Sequence, residues 1–357
     1  MCRTHQWSRW AAVSLIGLIT LASAFASACS DSTSPTTTKF VQTNLVADVS
    51  GMGASVVDAN LVNPWGLAFG PTGVLWVADN HTGTSTLYDA DGTAHSLVVS
   101  IPTSGAATGG EPTGTIYNGT GDFPIGSAGT SLFIFVGEDG IVSAWNATTG
   151  NAQVVADRSS AGAVYKGLAI AANGSSNFLY ATDFHNNAID VFDSNFQYVT
   201  SFTDSTLPTG YAPFGIRTIN GKLYVTFAKQ LAPDNEDDDP GPGNGYVDVF
   251  NADGTLSKRF ASNGALNAPW GIVVAPSGFG SLGGDILIGN FGDGHIGVYD
   301  ATSGAYRGDL RGTSGSAIAI DGLWGLEFGP ATTPMALFFS AGSSGETHGL
   351  LGTLTVQ

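Results

Sequence analysis

From Phe40 onward the chain repeats itself. One unit reads Pro64-Trp65-Gly66-Leu67-Ala68-Phe69, then Val74-Leu75-Trp76-Val77-Ala78-Asp79, then Thr86-Leu87-Tyr88-Asp89. The same grammar returns at Lys166-Gly167-Leu168-Ala169, at Pro213-Phe214-Gly215-Ile216 and at Pro269-Trp270-Gly271-Ile272, with looser copies at Pro112-Thr113-Gly114 and Leu323-Trp324-Gly325. Each piece is a short apolar run bounded by Gly, Asn or Asp, which is the punctuation of strands and hairpins. Four short strands in a unit of about 50 residues is the pattern of a propeller blade.

The turn that follows the third strand is marked by Asp89, Asn146, Asp193, Asn251 and Asp300, five turns for six units. The sixth unit ends in a third strand, Gly349 to Val356, with no fourth after it. Phe40 to Val46 alternates as Phe-Val-Gln-Thr-Asn-Leu-Val and supplies the missing strand. Joining these two segments closes the ring and removes the open edge that invites aggregation. The expectation is an all-β, single six-bladed β-propeller over 40–357, closed by an N-terminal strand that completes the last blade, and acting as a monomer.

Composition agrees. Glycine is 50 of 357 residues and only 11% of the chain is charged, against about 25% in an average soluble domain, which excludes a coiled coil or a helical bundle. The net charge of −17 excludes a nucleic-acid partner, because such binding rests on Lys and Arg neutralising phosphates.

The first forty residues carry an address. Met1 to Trp10 holds Arg3 and Arg9 and no acid, Ala11 to Leu21 is apolar, and small residues lead to Cys29. A basic start, a short apolar core and a peptidase-accessible stretch form a secretory signal, expected over 1–28. The apolar run falls well below the ~20 residues a spanning helix needs. Cys2 lies inside that signal, so Cys29 is the one thiol expected to remain. Its setting after Ala26-Ser27-Ala28 resembles a bacterial lipobox, although Ala26 stands where that pattern prefers Leu. The resemblance implies lipidation of Cys29, with 29–39 as a polar tether to a bacterial cell envelope; cleavage after Ala28 and free secretion is the alternative. A membrane contact is expected through that anchor alone.

The Leu-Tyr-Val-Ala-Asp and Val-Phe-Asp grammar resembles NHL-repeat and gluconolactonase-type propellers. More specifically, Asn60-Leu61-Val62-Asn63-Pro64-Trp65-Gly66-Leu67-Ala68, Gly243-Asn244-Gly245-Tyr246-Val247-Asp248-Val249-Phe250 and Gly289-Asn290-Phe291-Gly292-Asp293-Gly294 resemble an uncharacterised family of exported bacterial propellers. That resemblance implies fold and export, and no reaction.

In gluconolactonase-type propellers the residues just ahead of the inner strands hold a metal at the channel mouth. The matching positions here are Trp65, Thr113, Lys166, Phe214, Trp270 and Trp324. They include no carboxylate and no amide, whereas calcium takes several oxygen ligands, so neither metal nor cofactor is expected. Four aromatics around a mouth can form a stacking platform for a glycan, another small molecule or a protein, with Lys166 as a directed charge. They can equally be wedges packed between blades.

The loops after the second strands carry Asp79 with His81, Glu138 with Asp139, Asp183 with His185, Asn290 with Asp293 and His295, and Glu346 with His348. A histidine near a carboxylate can act as a base, which keeps a hydrolase or lyase as the alternative to a binding or scaffold propeller. These loops belong to different blades, so their convergence is not expected, and turn-capping acids are the simpler reading. Asp234-Asn235-Glu236-Asp237-Asp238-Asp239-Pro240 lacks EF-hand spacing and reads as a solvated, mobile acidic loop. Gly292-Asp293-Gly294-His295-Ile296-Gly297 fits G-x-G-x-x-G but leads into a strand, where a dinucleotide site needs a helix.

Overall fold

The computed structural model describes residues 38–357. The signal over 1–28, Cys29 and nearly all of the tether lie outside the described residues. Six antiparallel sheets stand around one axis. Blade 1 begins with Pro64–Phe69, blade 2 with Pro112–Tyr117, blade 3 with Tyr165–Asn173, blade 4 with Tyr211–Ile219, blade 5 with Pro269–Val274 and blade 6 with Leu323–Phe328. In each, the chain then steps outward strand by strand.

Blade 6 is assembled from both ends of the repeat region. Leu323–Phe328, Leu337–Ala341 and Leu350–Val356 are followed by Lys39–Ala47, which pairs antiparallel with the third strand from Phe40↔Val356 to Ala47↔Leu350. Phe40 is buried and its ring lies 4.9 Å from that of Phe279 in blade 5. Arg311–Gly312 and Val56–Val57 add short parallel pairings to the two ends of this closing strand. The expected closure is therefore the observed one.

Strand alternation sends successive side chains to the two faces of each blade, and every pair of facing blades buries its own apolar layer. Leu67, Leu75 and Val77 of blade 1 meet Phe338 and Leu351 of blade 6, while Ala68, Trp76 and Leu87 meet Phe133 and Trp145 of blade 2. Corresponding layers fill the other four interfaces. A seventh cluster sits apart from these: Trp65, Phe184, Phe214, Trp270 and Trp324 gather together, bringing side chains from blades 1, 3, 4, 5 and 6 into one group.

The repeat glycines explain how six strands approach one axis. A Cβ on Gly66 would meet the backbone of Thr113, on Gly114 that of Leu168, on Gly167 that of Phe214, on Gly215 that of Trp270, on Gly271 that of Trp324 and on Gly325 that of Trp65, all closer than the 3.0 Å that real Cβ contacts keep. Each glycine thus admits the inner strand of the next blade, and the sixth returns to the first.

Candidate functional site

The pairing register of every inner strand breaks at the repeat glycine: between Pro64 and Leu67, Pro112 and Thr115, Tyr165 and Gly167, Pro213 and Ile216, Pro269 and Ile272, and Leu323 and Leu326. Such a bulge re-aims the side chains beside it. Five of the six residues before the glycine, Trp65, Lys166, Phe214, Trp270 and Trp324, point to the axis as a result, and Thr113 joins the ring of backbone contacts by donating from Oγ1 to the carbonyl of Tyr165 at 2.7 Å. All six are buried, none more than 8% exposed.

The aromatics neither line an open platform nor wedge between blades. They plug the channel. Trp65 stacks on Trp324 with centroids 3.4 Å apart, and Phe291 stacks on Trp324 at 3.9 Å. Trp270 stands edge-on to both tryptophans and Phe214 to Trp65 and Trp324. Trp270 Nε1 donates to the Lys166 carbonyl at 3.1 Å, and Trp324 Nε1 donates to Asn63 Oδ1 at 3.0 Å. Trp65 Nε1 is buried without a hydrogen-bond partner.

A polar layer lies on this aromatic floor, and it is here that the second-strand loops meet. The Lys166 ammonium is bonded to Glu138, lies 3.9 Å from Asp237 and sits over the ring of Trp65 at 5.2 Å. Asn80 donates to the other oxygen of Glu138 at 2.8 Å. Asn63 donates to Glu346 at 2.8 Å, with His81 Nε2 at 3.3 Å and Asn80 Oδ1 at 3.4 Å, so one amide with two protons faces three neighbours. Residues from blades 1, 2, 3, 4 and 6 thus share one network, contrary to the expectation that these loops stay apart. The signal was present in the amide-rich ends of strands, but Asn63 and Asn80 carry no chemistry of their own that would single them out.

The electrostatics are those of a site with too many carboxylates. Burial works to lower the Lys166 pKa, yet Glu138, Asp237 and Asp238 outweigh it and hold the ammonium above the usual lysine value. Burial raises the Glu346 carboxyl despite the bond from Asn63, and Glu138 adds to the effect. Burial, with Glu138 and Asp139, raises Glu111 as well. Asp238 is pushed up to about 7 by burial, against the pull of Lys166, and its Oδ2 has no hydrogen-bond partner. The acidic segment is therefore not simply a solvated loop. Leu231 donates its backbone N–H to the Asp237 carbonyl at 2.8 Å, closing a turn that brings Asp237 near Lys166 although Asp237, like Asp234 and Glu236, stays exposed, and of its acids only Asp238 and Asp239 are partly covered.

The other rim residues are braces. Asp79 is fully buried and accepts from the backbone N–H of Thr86 at 2.9 Å. Asp183 accepts from Val164 N–H at 3.2 Å and from the Asn186 amide at 2.8 Å. Asn290 spans Ala265 and Asn267, and Asp293 accepts from Asn267 at 3.2 Å. His185 is tied through Nδ1 to the Asp234 carbonyl at 3.0 Å. Among the described residues, no group of three or more His, Cys, Asp or Glu is placed to hold a metal ion.

No family model matches the chain. Its relatives include two proteins of Acanthamoeba polyphaga mimivirus: uncharacterized protein L690 is 35% identical, covering 84% of this chain and 82% of its own length, and uncharacterized protein R648 is 36% identical, covering 84% and 76%. These relatives are viral, so the bacterial part of the expected kinship finds no support in them. Among solved structures, an inactive virginiamycin B lyase from Staphylococcus aureus with quinupristin superposes with a TM-score of 0.53 at 15% identity, covering 89% of this chain and 99% of the lyase. A streptogramin B lyase gives 0.53 at 14% identity, covering 89% and 97%. At that identity the likeness is one of fold, with the lyases as distant members of the same six-bladed architecture. By sequence, the chain belongs to the propeller family of the mimivirus proteins L690 and R648.

Proposed function

We propose that this chain is a monomeric binding propeller whose plugged end recognises a cationic partner, either a small polyamine or a basic segment of a protein. The observation that carries the reading is the network around Lys166. One ammonium is shared by Glu138 and Asp237, and Glu346, Asp238 and Glu111 are left with burial and repulsion from neighbouring carboxylates raising their pKa values. A ligand bringing positive charge relieves that repulsion. Burial of Trp65, Trp270 and Trp324 favours charge over ring stacking as the mode of recognition, so a glycan on an aromatic platform is the weaker form of the idea. The test is titration of spermidine and a lysine-rich peptide by calorimetry at rising salt. Saturable binding that weakens steeply with salt and falls at least about tenfold in Glu346→Gln supports the reading; a flat titration ends it.

A second reading is acid–base catalysis by a lyase or hydrolase. It is favoured by Asp238, a carboxyl poised near neutrality beside an ammonium, rather than by the fold shared with the lyases. Turnover of a lactone or ester panel that disappears in Asp238→Asn would select it. Export belongs to the same proposal: Cys29 is lipidated and the propeller is held at a bacterial cell envelope, with free secretion as the alternative. Cys29→Ala moving the protein from the detergent phase to the aqueous phase is the expected result, and a wild type already in the aqueous phase would remove the anchor.

A further inference from the structure

Below the plug the channel opens into a cavity of about 390 Å³, walled by the inner strands from the repeat glycines onward and roofed by Trp270. That size lies within the range of small-molecule sites and has room for on the order of ten water-sized groups. Its wall presents polar and apolar surface in nearly equal share; Phe69, Ile116, Tyr117 and Ile170 are among the apolar residues, and two charged residues line it, Arg217 and Glu327.

These two are departures from the repeat. They stand two residues after Gly215 and Gly325, where the other four blades place Ala68, Ile116, Ala169 and Val273. Their blades are not neighbours, since blade 5 lies between, so the pair reaches past it. The contact is bidentate, with Arg217 Nη1 on Glu327 Oε2 and Nη2 on Oε1, both at 2.8 Å, and Glu327 side-chain exposure only 17%. Thr115 also lines the cavity; it is 6% exposed, and its Oγ1 is buried without a hydrogen-bond partner.

We infer that this cavity binds a small zwitterion, an α-amino acid with an apolar side chain, held between Arg217 and Glu327 with its side chain against Phe69, Ile116 and Ile170. The chemistry selects that class. An anion taking Arg217 leaves Glu327 half-buried and unpaired, and a cation taking Glu327 strands Arg217; both outcomes are costly. A ligand carrying both charges replaces the pair without leaving either partner alone. Arg217 offers the planar fork that matches a carboxylate, and Glu327 accepts from an ammonium. Single-charge molecules are rejected by the pair itself.

The test is calorimetric titration of the full chain with leucine and phenylalanine, beside N-acetyl-leucine as an anion alone and leucinamide as a cation alone. Saturation by a free amino acid, with each single-charge analogue weaker by at least about tenfold, is expected. Arg217→Met with Glu327→Met removes both charges together, which leaves no buried charge unpaired and keeps the fold; this double variant should melt close to wild type and bind no amino acid. Equal binding of leucine and N-acetyl-leucine would overturn the inference. So would undiminished binding by the double variant, or no saturation of wild type at millimolar amino acid, which would leave the pair as a cross-brace.

Discussion

Where the inner strands begin, five side chains crowd onto the axis and close it; a few residues further along the same strands, the axis is empty and a cavity follows. Both arrangements come from one local event. The bulge at each repeat glycine turns the preceding residue inward, and the strand then resumes its alternation and sends Leu67 and Ala68, or Ile216 and Arg217, toward the faces between blades. One end is therefore filled by whatever precedes the glycine. The other stays open unless a long side chain reaches back across it, as Arg217 does. The two ends of a propeller channel can thus be varied independently, through positions only three residues apart.

The plug is the place to break that contrast. Trp324→Ala removes the ring that stacks on both Trp65 and Phe291 and leaves Asn63 Oδ1 without its donor. A loss of about 3–5 kcal/mol is expected in denaturant unfolding. Gly215→Ala should cost about 2–3 kcal/mol, because its Cβ drives into the Trp270 carbonyl and spreads the ring at the boundary between the two ends. Gly121→Ala, with open space around it and an ordinary backbone conformation, is the control expected to change nothing.

The smallest effect sharpens the contrast by pH. Burial raises the folded-state pKa of Asp238 to about 7, so the folded chain keeps a proton that the unfolded chain releases near pH 4. The folded state is favoured by that proton at low pH, and the contribution is lost as pH rises through the window from about 4 to 7. Asp238→Asn stays neutral throughout. It should match wild type at or below about pH 4 and melt higher near pH 8, by about 1–2 kcal/mol after solvent screening, while the Arg217–Glu327 end shows no change. Melting curves at the two pH values check this.

The ring and its seam were legible because strand punctuation and the count of five turns for six units are properties of the chain itself. Phe40 to Val46 could be assigned to blade 6 on alternation alone. The six residues ahead of the glycines were legible as a set that reaches the axis region, but their burial was not, since nothing in Pro-Trp-Gly says whether a channel mouth is wide or filled. The polar network was the least legible part. It depends on turns that bring Glu138, Glu346 and His81 inward from the second strands, and on Asn63 and Asn80, whose roles exist only through those neighbours. Arg217 and Glu327 were visible in the sequence as two charges at apolar positions, a signal that emerges only when the six units are laid over one another.

The seam in blade 6 has a consequence for how the molecule is made. Lys39–Ala47 leaves the ribosome before any blade, and its partner Leu350–Val356 comes more than three hundred residues later. Until then its edge is unpaired, Phe40 has no pocket, and blade 1 lacks the neighbour that buries Leu67 and Val77. Five blades can form in order from local hairpins, but the ring gains its last two interfaces in one late step between segments far apart in the chain, the kind of contact that folds slowly and exposes apolar strand edges while it waits.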